Sequence, residues 1–453
     1  MTPRDDSKSG MKTAADLAYA ARAVSRLIRA AAAAGQYGAA AAAVKESLPF
    51  LIKVVIGIVI ALLVMPMVIL AALPNMFFGY SSSETDAIAH MTEQAMVIGG
   101  TYMSLDDVES THIDAVVTSI ASEYEGEGKE IDRIIVSNQM KEEDLLWIIA
   151  INSVAHQQDL NTMSTEQIRD FCKAQITCVP SLGIIQDGED GVMTTLTVEI
   201  RGIDPETVME ELGFEEDAKL WAGALYETMK ESDALEKYED CFEDYRPDYS
   251  GDPSFGGDVE HGTGHGNAID ISGFKSPGTK NNLDLAAYAI QAWENNWGYV
   301  WGTYGNVLTR ALFEYKKQQY PEGVGNYADF IEKNWLGRRT ADCIGLIKGY
   351  GWLDPSDMSI DYGTNGMPDY GANQMYRYAQ NAGVRNVDYG PMGTMPEIPG
   401  LMLWKDGHAG VYIGNGQAVE AMGTKKGVVK TAVAGRGWQG WCKLPCIEYG
   451  EAG

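Results

Sequence analysis

The run "VVIGIVIALLVMPMVILAAL", residues 54–73, holds no charged side chain over twenty consecutive positions. As a helix it would extend about 30 Å, the thickness of the hydrocarbon core of a bilayer, so it predicts a transmembrane helix. The segment before it and the apolar core itself are too long for a cleaved signal peptide, and no A-x-A site closes the run. Pro66 is compatible with a span, because neighbouring groups in a membrane protein can satisfy the carbonyl that proline frees.

This run divides the charge of the chain unevenly. Residues 1–53 carry eight Lys and Arg against four acids, while the whole chain stands at −28, which leaves −32 for the remainder. After the run no Lys or Arg appears before Lys129. The positive-inside rule therefore places the N-terminus in the cytoplasm and everything beyond residue 74 outside the cell, on a single-pass membrane protein. Arg22, Arg26 and Arg29 share one side of an Ala-rich helix pattern, read as a solvated helix that sets this orientation, with contact to anionic headgroups as the other reading. So acidic an exterior argues against nucleic acid as a partner, since phosphate binding needs a basic face.

Six cysteines in a chain of this length do not form a disulfide scaffold. Cys172 with Cys178, and Cys442 with Cys446, are near enough in sequence to pair, and spacing alone leaves their state open. No C-x-x-C or H-E-x-x-H pattern occurs, so neither a metal nor a cofactor is indicated.

Beyond the span, residues 84–241 read as an acidic α+β module. "TTLTVEI" (194–200) alternates as a strand does, and "MKEEDLLWIIAINSVAHQQ" and "EEDAKLWAGALYETMKES" carry apolar stripes at helical spacing. A muramidase would need a glutamate general acid on its first core helix, but "AINSVAHQQD" offers Ser153 and Val154 there. The module is therefore read as a spacer or interaction domain. Its "DLLWIIAINSV" helix and "DPETVMEELGF…LWAGALY" ending loosely resemble the middle module of cell-wall hydrolases from conjugative mobile elements of Gram-positive bacteria. Residues 242–280, rich in Gly, Asp, Ser and Pro, read as a flexible linker, with His261 and His265 as solvated histidines in it.

Residues 281–453 contain, in order, "WGYVWGTYG" (297–305), "ADCIGLIKGYGW" (341–352) and "GHAGVYIGNGQAVEAMG" (407–423). Asp342 is a candidate N-cap for a short helix closed by Gly349 and Gly351, which sets Cys343 in the first turn. Unpaired amides and the helix dipole there favour a thiolate, predicting a lowered thiol pKa, and the Cys343 amide can serve an oxyanion. His408 opens the alternating strand "HAGVYIG" and is the candidate general base.

These three motifs resemble the NlpC-type cell-wall cysteine peptidases, a papain-like α+β fold in which a Cys-bearing helix packs on an antiparallel sheet. The resemblance implies Cys343 as nucleophile, His408 as base and Tyr299 as the tyrosine facing the scissile carbonyl. It places the third polar residue on Glu420, as an orienter of His408. The chain departs from the family at Ile344, where a small Ser is usual, and between the first two motifs, where helices are expected over 308–319 and 327–335 as an insertion beside the substrate groove.

Strand geometry sharpens the expectation for Glu420. A two-residue turn at Asn415 and Gly416 alone would set Gly414 opposite Gln417 and turn Glu420 to the face away from His408. A three-residue loop, Gly414 to Gly416, would set Gly410 opposite Glu420 and bring its carboxylate beside His408; this is the expected register. The resemblance implies a membrane-anchored peptidoglycan hydrolase cleaving stem-peptide amides, by preference between D-glutamate and the diamino acid, with wall opening during conjugative transfer as a setting. The alternatives are a non-catalytic wall-binding module of a membrane assembly and a thiol acyltransferase.

Overall fold

The computed structural model describes residues 97–157, 162–187, 191–231 and 259–450. The expected membrane helix at 54–73 and the cytoplasmic segment lie outside the described residues. Among the described residues no helix is long and apolar enough to cross a membrane.

In chain order the elements begin with α1 (Leu105–Gly126), β1 (Arg133–Asn138), α2 (Glu142–Ala155), α3 (Thr165–Ala174), β2 (Thr177–Asp187), β3 (Gly191–Arg201), α4 (Pro205–Glu211) and α5 (Glu216–Glu231). They continue with β4 (Glu260–His261), α6 (Asn282–Glu294), β5 (Tyr304–Val307), α7 (Arg310–Gln319), α8 (Ala328–Asn334), β6 (Arg339–Ala341) and α9 (Gly345–Trp352). The last are α10 (Ala372–Ala382), β7 (Tyr389–Pro391), β8 (Met402–Lys405), β9 (His408–Gly414), β10 (Gln417–Ala421), β11 (Val428–Ala432) and β12 (Gly440–Cys442). The helices expected over 140–158, 215–232, 308–319 and 327–335 are present over 142–155, 216–231, 310–319 and 328–334, and the strand expected over 194–200 lies within β3.

The chain divides into two compact units, and the division cuts across 84–241. Among the described residues, one unit takes 97–109 with 139–157, 162–177 and 201–231, and the other takes 110–138, 178–187, 191–200 and 259–450. In the first unit α2 is buried along most of its length, and Trp147 stacks on Tyr226 with ring centroids 4.1 Å apart. Ser164 and Asp204 cap α3 and α4 by accepting the amides of Gln167 and Thr207. At the muramidase position Ser153 is buried and Asn152 accepts the Tyr102 hydroxyl at 2.8 Å, so no acid stands there.

The second unit is mixed α and β. Its seven-stranded sheet runs β4-β11-β10-β9-β8-β12-β7, with every assigned pairing antiparallel. Alternation along the strands gives each face its own core. Met402, Val411, Val419, Ala421 and Val428 join one buried cluster with the helices, while Leu403, Tyr412 and Ala418 meet Trp438 and Trp441 on the other side. Helix α6 buries Leu285, Tyr288, Ala289 and Ala292, a stripe at helical spacing, and packs against β9, β10 and β11. A separate three-stranded sheet, β1-β3-β2, contains a parallel β1–β3 pair.

Two expectations are corrected here. Gly349 and Gly351 do not end the helix, since α9 runs through both to Trp352. They are close-approach positions: a Cβ on Gly349 would fall 1.9 Å from the Tyr304 carbonyl oxygen, and one on Gly351 would strike the Met367 side chain. The second concerns 242–280, of which 259–280 is built into the second unit. Glu260 and His261 form the edge strand β4 on β11, the Gly264 amide donates to the Glu294 carbonyl at the end of α6, and Asn267 bonds Gly337 and Arg339. Glycines at 262 and 264 let this strap lie against the helix terminus, where a Cβ would meet the carbonyls of Trp293 and Glu294.

Buried charge also ties α1 into the second unit. Lys316 on α7 is 0% exposed and donates to both oxygens of Asp114 at 2.7 and 2.6 Å, and to the Gly302 carbonyl. Tyr320 donates to the same carboxylate, and Tyr304 to the Ala115 carbonyl. Removing one member of such a pair strands the other charge in a dry site. Asp114→Ala is expected to destabilise the full chain by about 3–5 kcal/mol in denaturant titration. A fragment of 281–453, which lacks Asp114, is expected to be similarly weakened, and an unchanged midpoint in the variant would show that water reaches Lys316.

Candidate active site

Cys343 is held at the entrance to α9. The Asp342 carboxylate accepts the Gly345 amide at 2.6 Å and the Asp342 carbonyl accepts the Leu346 amide, so Asp342 caps the turn that carries the cysteine. A second oxygen of that carboxylate accepts from Gly302 at 2.9 Å. Gly345 is required by packing: a Cβ there would lie 2.1 Å from the Thr303 carbonyl oxygen. Ile344, in place of the expected small residue, is buried in the core beneath the turn.

The half-buried thiol faces the start of β9. Its Sγ lies 4.0 Å from the carbonyl oxygen of Gly407, the residue before His408. Burial pushes the thiol up to about 12, the Asp342 charge adds to this, and the amides of Ala409 and Ile344 act against it. The helix-start environment therefore does not lower the thiol pKa as the sequence predicts; desolvation and an adjacent carboxylate outweigh the amides.

His408 and Glu420 meet. His408 Nε2–H donates to Glu420 Oε2 at 2.7 Å, with the two side chains 1% and 0% exposed. Burial lowers the His408 pKa from its ordinary value, opposed by the Glu420 hydrogen bond and charge. Because an ionised carboxylate only accepts, this contact fixes the proton of neutral His408 on Nε2 and leaves the lone pair on Nδ1. The Trp438 ring stacks on the imidazole, with centroids 5.6 Å apart and planes 14° from parallel.

The register that brings them together is the expected one, reached by a different device. Asn415 and Gly416 form a two-residue turn with both residues at positive φ, and Gln417 faces Gly414. A bulge then shifts the pairing by one, so Ala418 faces Tyr412 and Val419 faces Val411. Continued, this register sets Glu420 opposite Gly410. A Cβ on Gly410 would press on the Trp438 ring at 2.9 Å and on the Glu420 Cβ at 3.3 Å.

Glu420 is the hub of the cluster. Arg436 grips it as a fork, Nε to Oε1 and Nη2 to Oε2, both at 2.7 Å, and the Thr431 hydroxyl donates to Oε1 at 2.7 Å. Burial alone would raise the carboxyl, but His408 and Arg436 overcome it and hold it at about 2. Lys405, opposite His408 on β8, is buried and extends its Nζ over Trp438 toward the Arg436 carbonyl; burial and the Arg436 charge bring it down to about 8. Arg436, Thr431, Lys405 and Trp438 are missed by sequence reasoning. Only Lys405 carries a usable signal, a cation that closes the otherwise apolar strand "LMLWK".

Tyr299 is 3% exposed and belongs to the core cluster against which Cys343 packs. Cys343, Cys442, Cys446, Cys172 and Cys178 are all free thiols.

Cys343, His408 and Glu420 thus form a thiol beside a strand whose first residue is an oriented imidazole, itself held by a carboxylate neutralised by arginine. Both groups are neutral, and an imidazole with its lone pair on Nδ1 is a competent proton acceptor; Cys343 packs on the cluster that holds Ala409, while the His408 ring takes the face of Trp438 and Glu420. Comparison of the chain with protein-family models, with curated proteins and with solved structures finds no match.

Proposed function

We propose that the chain is a membrane-anchored cysteine peptidase of the NlpC type that cleaves amide bonds in the stem peptides of peptidoglycan. The observation that carries this reading is the tautomer-fixed His408, bonded to Glu420 and placed one residue after the carbonyl that touches the Cys343 thiol. The three motifs around Tyr299, Cys343 and His408 supply the family likeness, and the run 54–73 supplies the anchor.

In this reading Cys343 Sγ attacks the amide carbon while His408 Nδ1 takes the thiol proton, and the Cys343 amide helps stabilise the oxyanion. The imidazolium then gives its proton to the leaving amine, and water attacking with the help of neutral His408 releases the acid and restores the thiol. Arg436 balances the Glu420 charge, so Glu420 acts mainly by orientation. The likeness favours the bond between D-glutamate and the diamino acid, and a local cut by a tethered enzyme suits wall opening during DNA transfer.

Full-length protein incubated with purified sacculi tests this. Released fragments should carry new amino groups on the diamino acid and new carboxyl groups on glutamate, with no new reducing sugar ends. Release of new reducing ends alone, or no release by a well-folded protein, contradicts the reading.

A further inference from the structure

Beside the catalytic strand, within the same unit, lies a cleft of about 550 Å³ whose lining includes Asn373, Tyr376, Arg377, Arg385, Trp404 and Asp406. Its floor is rigid. Tyr376 on α10 stacks on Trp404 of β8 with centroids 4.4 Å apart and planes 2° from parallel, and the Trp404 Nε1–H donates to Asn373 Oδ1 at 2.9 Å. Gly440 lets the Tyr376 hydroxyl approach β12, where a Cβ would lie 2.3 Å from it.

The cleft is joined to the thiol through backbone. Asn373 Oδ1 also accepts the Gly407 amide at 2.8 Å, and the Gly407 carbonyl is the group 4.0 Å from Cys343 Sγ. Asn373, in the cleft lining, thus holds the residue whose carbonyl meets the thiol.

Its charge is opposite to that of the protein. The chain carries 63 Asp and Glu against 35 Lys and Arg. Yet the exposed Arg377 and Arg385 make no ion pair with any described residue, and Arg385 is near enough to act electrostatically on the Tyr376 hydroxyl. The acid in the lining, Asp406, is engaged by Asn373 Nδ2 at 2.9 Å. Two guanidinium groups with no ion pair among the described residues, at the rim of an aromatic-floored cleft, are suited to bidentate recognition of carboxylates.

We propose that this cleft binds a carboxylate-bearing arm of the substrate peptide, with Arg377 and Arg385 as the carboxylate-recognising residues and the Tyr376–Trp404 pair as the surface on which the peptide lies. The proposal rests on the peptidase reading for the word substrate, but not for the binding itself.

The test is calorimetric titration of full-length protein with the free tripeptide L-alanyl-γ-D-glutamyl-meso-diaminopimelate, and with the same peptide amidated at its carboxylates. The acidic peptide should bind the wild type, and Arg377→Gln and Arg385→Gln should each weaken it about tenfold. The amidated peptide should bind no better to the wild type than the acidic one binds the double variant. Equal affinities for both peptides, unchanged affinity in both variants, or inorganic phosphate competing at concentrations similar to the peptide would each overturn the proposal. Arginine-dependent binding by a protein that leaves sacculi intact would uphold the cleft and refute the peptidase, so the two failures are distinguishable.

Discussion

Cys343→Ala is expected to reduce release of peptides from sacculi by a factor on the order of 10⁶, the scale seen when a covalent nucleophile is removed from an acyl-transfer site. The fold should survive, because the side chain is half-buried and its polar contact is a long one to the Gly407 carbonyl. Loss of stability should stay within about 1 kcal/mol in denaturant titration. Full activity in this variant would pass the nucleophile's role to another group, and a collapsed fold would mark the thiol as structural.

Glu420→Ala is expected to do two things at once. It strips His408 of the partner that fixes its tautomer, and it leaves Arg436 buried without a counter-charge. Turnover should fall about 10²–10⁴-fold through the disoriented base, and stability by about 3–5 kcal/mol through the stranded guanidinium. Adding Arg436→Met should recover much of the stability without recovering turnover, which separates positioning from packing. The acid response carries a further signature. With its pKa lowered from 4.5 to about 2, Glu420 contributes stability that is fully present above pH about 4.5 and is lost as pH falls toward 2. That portion of the acid sensitivity should be absent in Glu420→Gln. A variant with wild-type turnover would reduce Glu420 to a core ion pair.

Elements whose signal sits in adjacent residues are legible from the sequence. The stripes of α2 and α5, the alternation of β3 and the cap at Asp342 each depend on neighbours within a turn or two. The meeting of His408 with Glu420 is also legible, since pleat and turn fix which face each side chain takes. Its device is not: a two-residue turn and a bulge give the same register as a three-residue loop, and the pattern of apolar residues is identical for both. What the sequence leaves hidden is long-range or depends on solvent. Lys316 and Asp114 are separated by 202 positions, so nothing local marks them as one buried pair. Arg436 follows β11 in a glycine-rich connection that reads as surface, yet its guanidinium is buried on Glu420. Gly349 and Gly351 read as helix stops because composition cannot distinguish a terminating glycine from one pressed against a neighbouring carbonyl, as at Gly349, or side chain, as at Gly351. The thiol pKa reverses for the same reason: the amides at the helix start are local, while the burial that outweighs them comes from the whole unit.

On the proposed mechanism, Cys343 is expected to form a thioester with a stem-peptide acyl group. Full-length protein mixed with excess muropeptide, quenched in acid within one turnover and digested, can be read directly by mass spectrometry. The peptide containing Cys343 should gain the mass of the acyl fragment, and hydroxylamine should remove it. An acyl mass on the peptide of Cys442 and Cys446, or steady product release with no adduct at any cysteine, would contradict the claim.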